Sequence, residues 1–322
     1  MDTKESIEEK KYMQEKKIWI GLISAAIVLA GILALFLYVA FSSKEEQGYQ
    51  DYRIQKEQYF MEYSEHFDYW DVVTVEYPRL EGIDEELQEQ INTAMYDMAM
   101  DRTRFWHLRP SKEIAAYQKE SYWSLFCSDV NCDIDYHSQY LASVHYCEYY
   151  APKEPVYHTK YTERAINVDL MTGEIYELSD VFRIDEGFIK LWMQSMNAEY
   201  EGAFTEDEAT VEILLDWFHK EDEELNELYE FRPYFYLTEE KDFVIGISLD
   251  PLLAGLTQAP PENSTYNIKI EADKLKPYRT DSGFWEKYEK SEMAGEVLPC
   301  KNKQSNLWLG EEASVWGYWD ER

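Results

Sequence analysis

The sequence predicts an α+β domain, in which helices pack on one face of an antiparallel sheet, preceded by one transmembrane helix. Three observations carry this prediction. Residues 18–41 contain no charged side chain. Alternating segments rich in β-branched residues recur after them and are typical of strands joined by short turns. Segments with apolar residues at helical spacing follow these strands, and this order is typical of the α+β class.

Residues 18–41 form the predicted membrane-spanning helix, because about 20 consecutive apolar residues cross the hydrocarbon core of a bilayer. Lys16 and Lys17 precede this run, whereas Lys44 beyond it is followed by two glutamates. This asymmetry favours a cytoplasmic amino terminus. A cleaved signal peptide is the alternative, but its apolar region is usually about 7–15 residues long. We therefore expect a single-pass signal-anchor in the cell membrane, with the rest of the chain extracytoplasmic.

The chain is predicted to divide into five parts. They are a short cytoplasmic segment (1–17), the transmembrane helix (18–41), a polar stalk (42–68), an extracytoplasmic α+β domain (69–278) and an aromatic C-terminal tail (279–322).

The first half of the domain is predicted to be mostly strands. Asp84 is expected to cap a helix over residues 85–103, after a first strand, and Gly173 to form a tight turn. The predicted strands are 71–77, 121–128, 139–149, 161–170 and 175–178.

The second half is predicted to contain two helices and a second hairpin. Thr205 and Glu208 form a capping box at the start of the second helix. The predicted elements are helices 185–200 and 205–220, strands 232–238, 242–249 and 265–271, and a short helix 272–275.

The net charge of −33 is the second strong feature of the sequence. Residues 1–17 hold five lysines and five acids, so the excess lies beyond the anchor. Such a surface repels nucleic acid and attracts cationic partners in a salt-dependent way. We therefore expect no nucleic-acid partner, and a cationic protein or cell-wall material as the partner. Solubility is the simpler explanation of the same charge.

Four cysteines follow the anchor, namely Cys127, Cys132, Cys147 and Cys300. An even number in an oxidising compartment indicates up to two disulfides, with three possible connectivities. Cys127 and Cys147 are placed to face each other across a hairpin that turns near residues 135–139, which leaves Cys132 and Cys300. The four-residue gap between Cys127 and Cys132 is not the two-residue gap of a zinc knuckle or a thioredoxin-type site, so no metal is expected.

The sequence contains none of the common catalytic motifs. Its six histidines are far apart, and 64 acids would place some carboxylates in pairs by chance. We therefore predict no catalysis and no cofactor. A cell-wall glycan hydrolase with paired carboxylates, or a structural accessory protein, is the alternative.

Two aromatic segments are the candidate binding surfaces. The loop 151–160 contains two prolines and joins two strands, and residues 231–236 carry aromatic residues next to a proline. Aromatic side chains and arginine are enriched in protein contact sites. Each segment would otherwise pack against its own neighbours. The candidate binding residues are Tyr149, Tyr150, Tyr157, His158, Tyr161, Arg232 and Tyr234.

Residues 72–278 resemble a known extracytoplasmic domain. The resemblance rests on the segments VEYPRLEGID (75–84), LASVHYCEYY (141–150), the loop with His158, INVDLMTGEIYELSDVF (166–182) and EFRPYFYLT (230–238). Together they resemble the domain of RsiV-type, lysozyme-responsive anti-sigma factors, which is also attached to PdaC-type peptidoglycan deacetylases. The most specific part is the pattern that combines Asp169, Leu170, Thr172, Gly173, Leu178, Asp180 and Phe182.

The resemblance implies an extracytoplasmic α+β binding or sensor module that, in the sensor members, binds a lysozyme. Two departures limit what is carried over. The loop before His158 contains proline and tyrosine where the family usually has glycines. Residues 1–17 are shorter than a sigma-binding segment, so sigma control is not implied.

Overall fold

The computed structural model describes residues 48–65, 69–109, 112, 124–151, 161–200, 202–220, 232–248, 256, 265–301 and 303. The chain divides into two units, Met1–Gln47 and Gly48–Arg322. The first unit, which includes the predicted transmembrane helix, lies outside the described residues. No helix among the described residues is both long and apolar enough to span a membrane.

Two sheets organise the second unit. The strands of its described part are β1 (Arg53–Glu65), β2 (Tyr69–Glu81), β3 (Ser124–His137), β4 (Leu141–Ala151), β5 (Tyr161–Asp169), β6 (Tyr234–Leu237), β7 (Phe243–Ser248), β8 (Thr265–Ile270) and β9 (Glu296–Leu298). The larger sheet has the order β5-β4-β3-β2-β1-β9, and the smaller antiparallel sheet has the order β6-β7-β8.

Helices accompany both sheets, so the α+β class is confirmed. The α-helices in the described ranges are α1 (Glu85–Thr103), α2 (Leu178–Val181), α3 (Glu186–Glu199), α4 (Glu208–Phe218), α5 (Ala272–Leu275) and α6 (Phe284–Lys290). A π-helical turn, Arg104–Leu108, extends α1, and a 3-10 turn, Lys276–Tyr278, follows α5.

Three of the six described α-helices begin at an aspartate cap. Asp84 accepts two main-chain N–H groups of the first turn of α1 at 3.2 and 3.3 Å, as predicted. Asp185 accepts one from the first turn of α3 at 3.0 Å. The cap of α4 is Asp207, two residues after the predicted Thr205. Such caps satisfy N–H groups that have no partner inside the helix.

The prediction of one antiparallel sheet is wrong. β2 and β3 run parallel, from Tyr69 opposite Ser124 to Val75 opposite Val130, and β9 runs parallel to β1. The connection between β2 and β3 contains α1, which is long enough for the crossover that parallel strands require. The smaller sheet is separate from the larger one, so the second predicted hairpin is confirmed but belongs to a different layer.

Both ends of the folded unit differ from the expected boundaries. β1 lies within residues 42–68, which were expected to be a stalk, and it pairs with β2 along its whole length. α6 and β9 lie within the expected tail, 279–322. The fold therefore uses residues on both sides of the predicted domain.

Two hydrophobic cores hold the layers together. The first lies between the larger sheet and α1, and the second between the smaller sheet, α3 and α4. The first contains Val73, Val75, Ile91, Met95 and Val144. The second contains Phe188, Trp192, Leu214, Phe243 and Ile245. The indole N–H of Trp192 donates to the main-chain oxygen of Ile245 at 3.0 Å, so this buried polar group is satisfied.

The predicted disulfides are wrong, because Cys132, Cys147 and Cys300 are free. The hairpin between β3 and β4 forms as predicted, but its register places Cys127 opposite Ala151 and Cys147 opposite Asn131. Four strand positions separate residues by about 13 Å, whereas bridged Cα atoms lie within about 7 Å. Cys127 and Cys147 are therefore too far apart to bond.

Candidate functional site

The strongest candidate site is a cavity of about 490 Å³ at the edge of the larger sheet. It lies where α1, β5, the segment after β5 and the start of β6 meet. Its lining includes Asp97, Met98, Asp101, the β5 residues 164–167, residues 175–178, and residues 232–235.

β5 is an edge strand, and its outward main-chain groups belong to alternate residues. The oxygen of Asn167 accepts from Tyr176 at 2.9 Å. The N–H of Glu163 donates to the Ser248 hydroxyl at 3.0 Å. Ala165 lies between these two positions, so its N–H and C=O also point outward, toward the cavity that it lines.

The charged groups of the cavity are mostly paired. Asp97 pairs with Arg104 at 2.5 Å, and Glu177 pairs with Arg232. Asp101 is exposed and has no ion-pair partner among the described residues. The free charge of the cavity is therefore negative.

Arg164 also lines the cavity, but its charge is already engaged. The side chain is 3% exposed and donates to Glu148 Oε2 at 2.7 Å. It donates further to the main-chain oxygens of Met98 and Ala99 at 2.8 and 2.9 Å. The ion pair joins β5 to β4, the two main-chain hydrogen bonds hold Arg164 against α1, and the guanidinium does not pair with Asp101.

One apolar side chain is exposed at the cavity. Ile175 is 41% exposed. Met98, on the facing turn of α1, is half-buried. The cavity therefore combines a free carboxylate, an apolar contact and an outward strand edge.

A buried polar layer adjoins the cavity between the two sheets. Glu163 accepts the hydroxyl of Tyr234 at 2.7 Å and the side-chain amide of Asn267 at 2.5 Å. Burial raises the pKa of Tyr234 well above its ordinary value, and the charge of Glu163 adds to this effect. The phenol is therefore a permanent hydrogen-bond donor that joins the smaller sheet to β5.

His145 occupies the centre of the same layer. Its Nδ1 lies 2.5 Å from Asp135 Oδ2, and its ring stacks on Tyr236 with centroids 4.5 Å apart. Burial is the largest single effect and disfavours the imidazolium, but the hydrogen bonds to Asp135 and Cys147, together with the charge of Asp135, outweigh it and raise the pKa of His145 well above its ordinary value. The group is therefore a charged structural pair.

Cys147 is next to His145 but is not an activated nucleophile. Burial raises the pKa of its thiol even though a hydrogen bond to His145 opposes this shift. Reactive cysteines need a lowered pKa. The described residues also contain no group of three or more His, Cys, Asp or Glu side chains that could hold a metal ion.

The structure separates the predicted binding residues into two groups. Arg232 and Tyr234 both line the cavity, although Tyr234 is only 4% exposed. Tyr149 faces Tyr161 across the β4–β5 pair, and Tyr150 lies beside Tyr149 in β4. Tyr157 and His158 lie outside the described residues. A binding role for these residues stays a prediction.

Asp97 and Asp101 were not among the predicted binding residues, although the sequence contained a signal for them. They are four residues apart and so share one face of α1. Like charges at this spacing reduce helix stability by a few tenths of a kcal/mol. Acids at such positions oppose helix stability, and this indicated another use for them. Ala165 and Ile175 carried no comparable signal.

The residue pattern behind the resemblance is structural. Asp169 is fully buried, and its Oδ1 accepts the N–H groups of Met171 and Thr172 at 2.8 and 3.2 Å. Gly173 closes this turn with φ of 73°. Leu170, Leu178 and Phe182 are buried in the cores. These residues serve the turn and the cores, whereas Asp180 is an exposed residue of α2 that accepts the N–H of Glu177 at 2.8 Å.

Known proteins that resemble this chain were found among solved structures. No protein-family model and no curated protein sequence matches the chain. A member of the DUF3298 family from Bacteroides fragilis is a similar solved structure, 14% identical, covering 76% of this chain and 99% of its own, with a TM-score of 0.46. A DUF3298 family protein from Pseudomonas aeruginosa is 13% identical and covers 70% of this chain and 94% of its own, with a TM-score of 0.41. Likeness at these TM-scores is too loose to transfer a function.

Proposed function

We propose that the chain is a membrane-anchored extracytoplasmic binding or sensor module of the cell envelope, without catalysis of its own. Its partner is a cationic protein, for which a lysozyme is the first candidate, or cell-wall material. The observation that carries the proposal is the cavity at the edge of β5, with the unpaired carboxylate of Asp101 at its lining.

The placement of Asp97 and Asp101 supports this proposal. A pair of like charges at this spacing on a helix reduces its stability by a few tenths of a kcal/mol. Arg104 compensates Asp97, and no described residue compensates Asp101. A cationic side chain from a partner would complete the arrangement.

The net charge of −33 provides the long-range part of the attraction. Association between oppositely charged proteins is accelerated at low ionic strength and weakens as salt is added. The resemblance to RsiV-type domains supports a lysozyme in particular, and the predicted anchor, residues 18–41, supports an extracytoplasmic location.

The direct test is a titration of the detergent-solubilised full chain with a lysozyme and with soluble cell-wall glycan fragments, at low and high salt. Binding of at least one probe, weakened by salt in the case of lysozyme, is expected. Cytochrome c serves as a cationic protein of different shape. Absence of binding to every probe, or equal binding of lysozyme and cytochrome c, would contradict a specific partner site.

A matched pair of double variants locates the site. Asp97→Asn with Asp101→Asn removes two charges at the cavity, whereas Asp216→Asn with Asp273→Asn removes two charges from exposed helical positions elsewhere. The first pair is expected to weaken lysozyme binding about tenfold, which corresponds to about 1.4 kcal/mol, and the second by less than about threefold. If the two double variants weakened lysozyme binding equally, net charge alone would account for the attraction.

The two alternative functions, a cell-wall glycan hydrolase and a structural accessory protein, have separate tests. A hydrolase would release soluble products from purified wall glycan, and no turnover is expected. A structural accessory protein would be recovered in complex with another membrane protein after crosslinking in cells, independently of added lysozyme.

A further inference from the structure

We propose that the outward edge of β5 at Ala165 receives an extended segment of the cationic partner as an added strand, with a lysine or arginine side chain beside Asp101. The inference rests on the proposed function, since it uses the same cavity, and it specifies how the partner is held.

The main-chain geometry limits where a strand can be added. Ser248 occupies the outward groups of Glu163 at one end, and Tyr176 occupies the oxygen of Asn167 at the other. Between them, Ala165 presents one N–H and one C=O. Neither has a hydrogen-bond partner among the described residues. An added segment therefore makes two main-chain hydrogen bonds, and only a short extended stretch fits.

The layers on either side of the edge select the side chains of that segment. Successive side chains of a strand point to opposite faces. One face meets α1, where Asp101 and Met98 lie, and the other meets the start of β6, where Arg232 lies. Asp101 favours a cation on the α1 face, whereas Arg232 disfavours one on the other face. An alternating cationic and apolar segment fits both.

Ile175 supplies the apolar contact for such a segment. Its 41% exposed side chain lies at the strand bridge with Val168, immediately beyond the open position. A segment added at Ala165 would end beside this bridge, where an apolar side chain at its end would contact Ile175 and remove apolar surface from water. Recognition by strand addition takes affinity from main-chain hydrogen bonds and specificity from alternate side chains, and this edge provides both.

The first test compares two labelled peptides on the full chain by fluorescence anisotropy. One is a capped hexapeptide of alternating lysine and valine, and the other is the same peptide with its central amides N-methylated, which removes donors but keeps charge. The unmodified peptide is expected to bind about threefold to tenfold more tightly, as expected for loss of a hydrogen bond. Equal binding of the two peptides would overturn strand addition.

The second test changes the protein. Ala165→Pro removes the outward N–H and leaves the ladder to β4 intact, since edge strands tolerate proline where the N–H faces outward. Asp101→Asn removes the charge, and Asp216→Asn is its control on α4. Ala165→Pro and Asp101→Asn are expected to weaken binding of the alternating peptide at least threefold. The control Asp216→Asn is expected to leave its affinity unchanged. If Ala165→Pro does not fold, the comparison of the unmodified and N-methylated peptides on the unaltered chain tests strand addition.

The outcomes separate this inference from the proposed function. Lysozyme binding that persists in Ala165→Pro and Asp101→Asn, together with equal affinity for both peptides, would overturn the strand-addition mode and leave the binding function standing. Failure of every probe to bind the unaltered chain would contradict both the proposed binding function and the strand-addition mode.

Discussion

The ring of Tyr234 lies directly over Gly246, its cross-strand neighbour in the smaller sheet. A Cβ atom at Gly246 would lie 2.4 Å from the Cζ and hydroxyl oxygen of Tyr234. The glycine therefore lets the ring lie flat across β7 and direct its hydroxyl to Glu163 in the larger sheet. The contact between Tyr234 and Gly246 thus positions one of the hydrogen bonds that join the two sheets.

Replacement of this glycine is expected to destabilise the fold. Gly246→Ala forces Tyr234 away from Glu163 and should lower the free energy of unfolding by about 1–3 kcal/mol, as overpacking does. Urea denaturation followed by circular dichroism measures the change. Gly283→Ala is the control, because a Cβ there meets no atom closer than 3.9 Å. Equal stability of the two variants would contradict the close approach.

The buried ion pair between Arg164 and Glu148 provides a second prediction. Glu148→Gln leaves the guanidinium buried without its counter-charge, and the free energy of unfolding should fall by about 3 kcal/mol. The exposed pair of Glu186 and Lys190 is the comparison, where Glu186→Gln should change stability by less than about 1 kcal/mol. A small effect at Glu148 would show that water reaches the site.

The pair of His145 and Asp135 should make stability depend on pH. Because the pKa of His145 is raised in the folded chain, its contribution is complete below the unfolded value of about 6.5 and is lost as pH rises through the folded value. The groups that face it are Asp135, Asp133, Cys147 and Tyr236. The stability advantage of the unaltered chain over His145→Gln should therefore be larger at about pH 5.5 than at about pH 8. The two pH values are compared by urea denaturation, and a constant advantage would contradict the assignment.

The cysteine geometry gives a fourth prediction. Chain isolated without reductant, with thiols blocked during lysis, should yield no peptide that links Cys127 to Cys147, because their register separates them. Mass spectrometry of the digest checks this directly. Detection of that linked peptide would require β3 or β4 to shift by several residues.

Local patterns predicted local elements well. α1 begins at its predicted cap, and β5 and the Gly173 turn lie where alternation and glycine placed them. β1 escaped prediction because Ile54 is its only β-branched residue and most of its side chains are polar. Its strand conformation is imposed by pairing with β2, which no local pattern encodes.

Long-range arrangement explains what was missed at the site. Arg232 and Tyr234 were predicted as binding residues from their aromatic and cationic character. Ala165 was not, because an outward edge depends on which strand lacks a neighbour, and this is decided by pairing far along the chain. The parallel placement of β2 and β3 was missed for the same reason. Asp101 is the exception, since its four-residue spacing from Asp97 was visible in the sequence.

The parallel pairing of β9 with β1 has a mechanical consequence. A pull applied between the beginning and the end of the folded unit drags these strands past each other lengthwise, so the three register pairs from Arg53 to Gln55 resist together. Antiparallel strands pulled from the same points would open one bond at a time. Tension from either terminus therefore loads the hydrogen bonds between β1 and β9 in shear before it reaches the hydrophobic cores.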